Sequence, residues 1–218
     1  MAGKKHITSR DIKVIDFLEK TNLLITAEQA SRFFYQSPSG NKKSAITVAQ
    51  RRLGVAYELK QINRFRDHID QSFVYYYKKK PTKVDHKLLM TEFIINFEKD
   101  FEIINIKTEY KDLEEQYGIR PDLYIEFKFG TKTLIALVEC DNTKGFTSGD
   151  SYVQILSDKR AGKLKEILPY PITVISCCKT KPQHPLNPIW VNSDFTDFSK
   201  IKYTLIRLEE SRTKKSAK

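Results

Sequence analysis

The run Arg120-Pro121-Asp122-Leu123-Tyr124-Ile125-Glu126-Phe127, followed after a short turn by Thr133-Leu134-Ile135-Ala136-Leu137-Val138-Glu139-Cys140-Asp141, decides how the chain is read. Gly130-Thr131 lies between them, a turn pair of the kind that closes a hairpin, so the two runs pair as antiparallel strands. Asp122 enters the first strand and Glu139 leaves the second, each about equally far from the turn. Both acids therefore come to the open end of the hairpin. The second run is apolar from Leu134 to Val138, the composition of a strand buried on both faces. Glu-x-Asp at the end of such a strand is an unusual position for charge.

Carboxylates gathered in this way repel one another and are kept ionised by a hard divalent cation with oxygen ligands, Mg2+ or Mn2+. A metal so held activates water and stabilises a pentacovalent phosphate. Pro121-Asp122, the hairpin and Glu139-x-Asp141 resemble the PD-(D/E)XK pattern of restriction-endonuclease-like nucleases, with Asp141 where the pattern has lysine. The resemblance implies Asp122, Glu139 and Asp141 as metal ligands and a lysine that positions the attacking water. Some members carry that lysine on the following helix. Here Tyr152, Ile155, Leu156, Lys159 and Lys163 share one stripe at helical spacing, which makes Lys159 the candidate. Arg120 reads either as a clamp for the scissile phosphate or as a partner for neighbouring acids.

Structural readings stand beside these. Pro-Asp is a common turn opening. Glu139 and Asp141 also read as ordinary strand-end charges, and Lys159 as a cation whose stem covers apolar surface.

Charge is distributed unevenly. Residues 1 to 83 hold 17 Lys and Arg against 7 Asp and Glu, and residues 84 to 218 hold 21 against 20, so nearly all of the net +11 sits in the first third. A compact basic module joined to a nearly neutral one reads as a polyanion-binding domain attached to something else. No apolar run approaches a membrane span, and the basic start Met1-Ala2-Gly3-Lys4-Lys5-His6 leads into no apolar signal region. The three cysteines show no zinc spacing and fit buried thiols in a reducing compartment. The expected location is the cytoplasm, with the chain on DNA rather than on a membrane.

Within residues 1–80 the spacing predicts three helices and a hairpin. Thr8-Ser9-Arg10-Asp11 has the form of a capping box and opens the first helix; Thr26-Ala27-Glu28-Gln29 repeats it and opens the second, which runs to about Tyr35. A polar loop at Ser37-Pro38-Ser39-Gly40-Asn41 precedes a third helix over roughly Lys43 to Gln61, with Gly54 an unfavourable residue inside it. Ile62 to Arg66 and Phe73 to Tyr77 read as strands. Three helices and a hairpin, with the passage Ala49-Gln50-Arg51-Arg52-Leu53 through Ile62-Asn63-Arg64, resemble a winged helix. That resemblance implies a third helix in the major groove and a wing on the backbone or minor groove. Lys42, Lys43, Arg51, Arg52, Lys60, Arg64, Arg66 and Lys78, Lys79 and Lys80 are the candidate phosphate contacts. Thr47 and Gln50 are the candidates for base edges.

Residues 81–85 read as a linker, 86–211 as the nuclease-like domain and 212–218 as a basic disordered tail. Met90, Phe93, Ile94 and Phe97 predict a helix carrying Glu92 and Glu98, and Ile103 to Ile106 a strand. Beyond the hairpin and the helix of Lys159, strands are expected at Pro171 to Ser176 and at Tyr203 to Leu208. The fold class expected is α/β, α+β over the whole chain: a winged helix followed by a restriction-endonuclease-like core with a central mixed sheet.

A winged helix leading through His86-Lys87-Leu88-Leu89 into such a core resembles the replication-relaxation family, related to MobC-type mobilisation relaxases of plasmids and mobile elements. The resemblance implies Mg2+- or Mn2+-dependent nicking at an origin, or DNA binding without cleavage by a degenerate nuclease fold. It also implies replication or transfer proteins as partners. Homodimerisation is common among winged helices, and no motif here decides it. A third reading is a partner-docking protein with no DNA affinity.

Overall fold

The structure is a computed structural model that describes residues 5–36, 40–141 and 146–210, with the backbone alone of 211–216. It is a mixed α/β chain of two units, Met1–Ile95 and Asn96–Lys218. Part of the polar loop expected at residues 37–41 lies outside the described residues, as do the last two residues of the expected tail.

The first unit contains α1 (Ser9–Thr21), β1 (Leu24–Thr26), α2 (Ala27–Phe33), α3 (Lys42–Glu58), β2 (Asn63–Phe65), β3 (Val74–Tyr76) and most of α4 (Val84–Glu98). Both capping boxes form. Asp11 accepts the Thr8 amide at 2.6 Å, and Thr26 and Gln29 exchange bonds of 3.1 Å in each direction. Each satisfies donors that a helix start leaves open, a contribution of about 1 kcal/mol. In α3 the buried positions are Ala45, Ala49, Leu53 and Ala56, one stripe at helical spacing. Ala49, Leu53 and Ala56 close a core with Val14 and Leu18 of α1, Ala30 of α2, and Ile25 and Tyr75 of the sheet. The three strands are ordered β1-β3-β2, all antiparallel. Sequence spacing suggests only an extended link at residues 22–25. The third strand forms because Leu24 and Ile25 are fully buried and pair with Tyr76 and Tyr75.

The division falls between Ile95 and Asn96, later than the linker expected at residues 81–85. α4 is tied to the first unit by side chains that its periodicity does not reveal. The buried Thr91 hydroxyl donates to the Leu24 carbonyl at 2.6 Å, and Arg32 grips Glu92 with two bonds of 2.5 and 2.6 Å. Glu92 is therefore an ion-pair partner of α2.

The second unit is built on a five-stranded sheet ordered β4-β5-β6-β7-β8. Its strands are β4 (Ile103–Thr108), β5 (Leu123–Phe129), β6 (Lys132–Asp141), β7 (Ile172–Cys178) and β8 (Ile189–Val191). β4, β5 and β6 are antiparallel neighbours, and β7 and β8 run parallel to β6. Between β4 and β5 a short 3-10 turn, Lys111–Leu113, leads into α5 (Glu114–Tyr117). β5 and β6 are the expected hairpin, closed by Gly130-Thr131 with Phe129 opposite Lys132. Gly130 has φ +59°, which glycine takes without strain.

α6 (Gly149–Arg160) covers one face of the sheet, where Tyr152 and Ile155 meet Tyr124, Leu137 and Val174. The opposite face carries an aromatic cluster in which Phe97 and Phe101 stand 5.0 and 5.1 Å from the Phe127 ring. The strand expected at Tyr203 to Leu208 is instead part of α7 (Lys200–Ser216), whose backbone also runs through most of the expected tail. Its β-branched and aromatic residues suggest a strand. The buried positions, Ile201 and Leu205, lie four apart, the spacing of a helix face laid on a core.

Candidate functional site

The hairpin brings two of the acids together. Leu123 pairs with Val138, so one further step of the antiparallel register sets Asp122 across from Glu139, with Cβ atoms about 5 Å apart on one face. Asp141 follows two residues along β6 on that same face. The three acids are half-buried. Asp122 Oδ2 accepts the Cys140 amide at 2.7 Å, and Glu139 Oε1 accepts the Tyr152 hydroxyl at 2.6 Å. Burial, and then the Glu139 charge, push the Tyr152 phenol well above its ordinary pKa, so it stays protonated and donates. Sequence spacing gave Tyr152 to the apolar stripe of α6. Its ring is on that stripe, 0% exposed, while its hydroxyl orients the acid.

This donor set suits a divalent cation at two residues. Mg2+ commonly takes one or two protein carboxylates and fills its octahedron with water and substrate phosphate. The Cys140 amide and the Tyr152 hydroxyl each hold one carboxylate in orientation, as outer partners of metal ligands do. Among the described residues no group of three or more His, Cys, Asp and Glu side chains is gathered to hold an ion. An ion here would rest on Asp122 and Glu139 with phosphate and water oxygens.

The candidate helpers lie elsewhere. Lys159 is seven residues, about 10 Å along α6, beyond Tyr152 and donates to the Leu168 carbonyl. Burial, and then Lys165, lower its pKa. Arg120 pairs with Glu114 and lies 3.7 Å from Glu109, so it serves the neighbouring acids. At the start of α6, the His184 ring lies against Gly149, 3.2 Å from Asp150 and edge-on to Phe146, which stacks on Tyr152.

In the first unit the outer face of α3 is polar. Lys43, Thr47, Gln50 and Arg51 are exposed there, opposite the buried stripe, and Lys42 is exposed in the first turn. The Thr47 hydroxyl donates to the Lys43 carbonyl at 3.0 Å. Gln50 lines a cleft with Arg64 and Arg66 of the β2–β3 hairpin, Gln71 and Phe73. The Arg64 guanidinium is sandwiched between Tyr57 at 4.3 Å and Phe73 at 4.0 Å, and Arg66 lies 4.8 Å from the Phe73 ring centre and donates to the Ile69 carbonyl. Such stacking holds a planar cation in one orientation while leaving its charge outward. Lys80 lies over Phe65 at 3.8 Å, Lys78 over Tyr77 at 5.0 Å, and Lys79 is exposed. Lys60 is exposed where the chain leaves α3, at φ +58°.

Arg52 differs from these. It turns inward to Asp11 and donates to the His6 carbonyl at 2.7 Å. Its place one residue after Arg51 rotates it about 100° around the helix, toward the core. The alternation of roles within Arg51-Arg52 was readable from that angle.

The chain matches no family model, no curated protein and no solved structure. No helix among the described residues is long and apolar enough to cross a membrane.

Proposed function

We propose that the chain is a DNA-binding protein whose first unit reads duplex DNA as a winged helix does, with α3 as the reading helix and the β2–β3 hairpin as the wing. The observation that carries this reading is the cleft shared by Gln50, Arg64 and Arg66, flanked by the exposed cations of α3. Base-edge chemistry lies at Thr47 and Gln50, and phosphate chemistry at Lys42, Lys43, Arg51 and the stacked arginines. The order helix, strand, helix, helix, hairpin supports it.

Binding to a duplex library is the test, read by fluorescence anisotropy at 50 and 200 mM salt. With six phosphate contacts the affinity falls about a thousandfold across that range, and Arg51→Ala or Arg64→Ala each flattens the salt slope by about one. An affinity indifferent to salt and to both variants would sink the proposal.

For the second unit the reading is a restriction-endonuclease-like core, supported by the antiparallel hairpin with Asp122 and Glu139 at its open end and by a parallel β7 reached through α6. Two activities follow from it. In the first, Asp122 and Glu139 would hold Mg2+ or Mn2+, which would supply the activated water for nicking, while the Tyr152 hydroxyl fixes the Glu139 rotamer. In the second, the unit serves replication or transfer of a mobile element without cleaving. Two observations favour the second: Asp141 stands where the nuclease pattern has lysine, and Lys159 is engaged by the Leu168 carbonyl. Incubation of supercoiled DNA with Mn2+ decides between them. Nicking that disappears in Asp122→Ala supports the first, and intact DNA at full duplex affinity supports the second.

A further inference from the structure

The acids and the basic face of α3 leave one feature of the second unit unused. Lys200, Tyr203, Thr204 and Arg207 fall on a single stripe of α7, at spacings of three and four residues. Together with Trp190 of β8 and Lys181, they line an open groove whose lining, among the described residues, has no acidic side chain. Tyr203 is 63% exposed, unusual for an aromatic on a helix whose Ile201 and Leu205 are already buried in the core. The Lys200 ammonium lies 4.9 Å from the Trp190 ring centre, and Asp197 pairs with it from outside the groove. The indole N–H donates to the Cys178 carbonyl at 3.0 Å, which fixes the ring. Residues 179 to 207 hold five Lys and Arg against two Asp, although the chain from residue 84 onward is nearly neutral.

We propose that this groove binds a single strand of nucleic acid, with bases stacked on Trp190 and Tyr203 and phosphates held by Lys181, Lys200 and Arg207. An exposed tyrosine ring and a half-buried indole, with cations along the same groove, suit unpaired bases, whose faces are open. A duplex keeps its bases stacked on each other and offers those rings nothing. An acidic peptide would satisfy the cations and leave the rings without a partner. The register adds a direction. Trp190 pairs with Ser176, and Ser176 with Glu139, so the groove begins two strand spacings, about 10 Å, from the candidate metal ligand. This inference stands apart from duplex reading by α3 and does not need cleavage.

Trp190 is the only tryptophan, so its emission reports this groove alone. The full chain is titrated with the oligonucleotide dT12. Saturable quenching of Trp190, weakened by salt, is expected. Tyr203→Ala should raise the half-saturating dT12 concentration about tenfold, the loss of one stacked base. Arg207→Glu should raise it by a similar or larger factor. Both positions are exposed, and unchanged melting temperatures of the variants would show that the fold is kept. Neither variant should alter duplex affinity, while Arg51→Ala should lower duplex affinity and leave the quenching intact. Absence of quenching, quenching undiminished in both Tyr203→Ala and Arg207→Glu, or equal quenching by a polyglutamate peptide would each overturn the proposal.

Discussion

Arg52 and Asp11 are 41 residues apart and meet inside the first unit, where the Asp11 side chain is fully enclosed and the Arg52 side chain 16% exposed. The Tyr35 hydroxyl at 2.7 Å, the Thr8 amide at 2.6 Å and the Thr8 hydroxyl at 2.7 Å also donate to the carboxylate. Removing the guanidinium strands a buried charge, whereas Arg51, one residue away, points outward. Arg52→Ala should therefore destabilise the chain by about 3 to 5 kcal/mol in urea denaturation. Arg51→Ala should change stability by no more than about 0.5 kcal/mol and act on DNA affinity instead. A stable Arg52→Ala would show that the pair does not hold α1 to α3.

Asp11 also gives the chain an acid sensitivity with a defined window. Burial pushes its carboxyl up, but hydrogen bonds from Arg52, Tyr35 and Thr8 outweigh that and bring it from the ordinary 3.8 to about 2. A carboxyl with a depressed folded pKa contributes stability that is complete above its unfolded value and is lost as pH falls through the folded one. The contribution, about 2 kcal/mol, should thus be whole at pH 5 and vanish between about pH 4 and 2. Denaturation midpoints measured across that range in wild type and Asp11→Asn check it, since the variant should lose the dependence of this step.

The parts of the fold that were legible are those set by local rules. Thr8, Asp11, Thr26 and Gln29 announced their helices through capping chemistry, and Gly130-Thr131 its hairpin. Asp122 and Glu139 met because hairpin register is counted from the turn. What was not legible depends on distant partners. α4 belongs largely to the first unit because Thr91 and Glu92 find Leu24 and Arg32. Tyr203 to Leu208 is helical because Ile201 and Leu205 share a buried face. Lys159 lies on the expected stripe, but its ammonium goes to the Leu168 carbonyl, a partner that helical spacing does not reveal.

Tyr152 offers a test of whether its hydroxyl orients a ligand or merely fills a site. Tyr152→Phe keeps the ring on its apolar neighbours and removes the bond to Glu139. If Asp122 and Glu139 take a cation, the Mn2+ affinity measured by calorimetry should fall about 10- to 100-fold, as for loss of an outer partner. The accompanying loss of stability should be about 1 to 2 kcal/mol, from a partly buried acceptor left without this donor. A Mn2+ isotherm unchanged in Tyr152→Phe and abolished in Asp122→Ala would limit the hydroxyl to a structural role.

Gly54 lies inside α3, and beyond the backbone of its own helix a Cβ there would meet no atom of the described residues within 4 Å. The residue has helical geometry, so alanine needs no rearrangement and restricts the unfolded chain more. Gly54→Ala should stabilise the first unit by about 0.5 to 1 kcal/mol. Thermal melting checks the sign, and a lower melting temperature would mean that the position is used for close approach by another group.

Gly149 presents the opposite case. A Cβ at this position would come within 2.4 Å of His184 Nε2, far inside contact distance. The imidazole cannot swing away cheaply. Its Nδ1 accepts the Leu186 amide at 3.1 Å, Asp150 lies 3.2 Å from its Nε2, and the Phe146 ring flanks it. Gly149→Ala should therefore cost about 1 to 3 kcal/mol as the ring or the start of α6 gives way. Because Phe146 stacks on Tyr152, the disturbance should pass to the Glu139 hydrogen bond. The double variant Gly149→Ala, His184→Ala separates the causes. Recovery of part of the lost stability when the ring is removed would assign the cost to the clash. A double variant as unstable as the sum of both changes would instead mean that Gly149 serves the backbone of α6 itself.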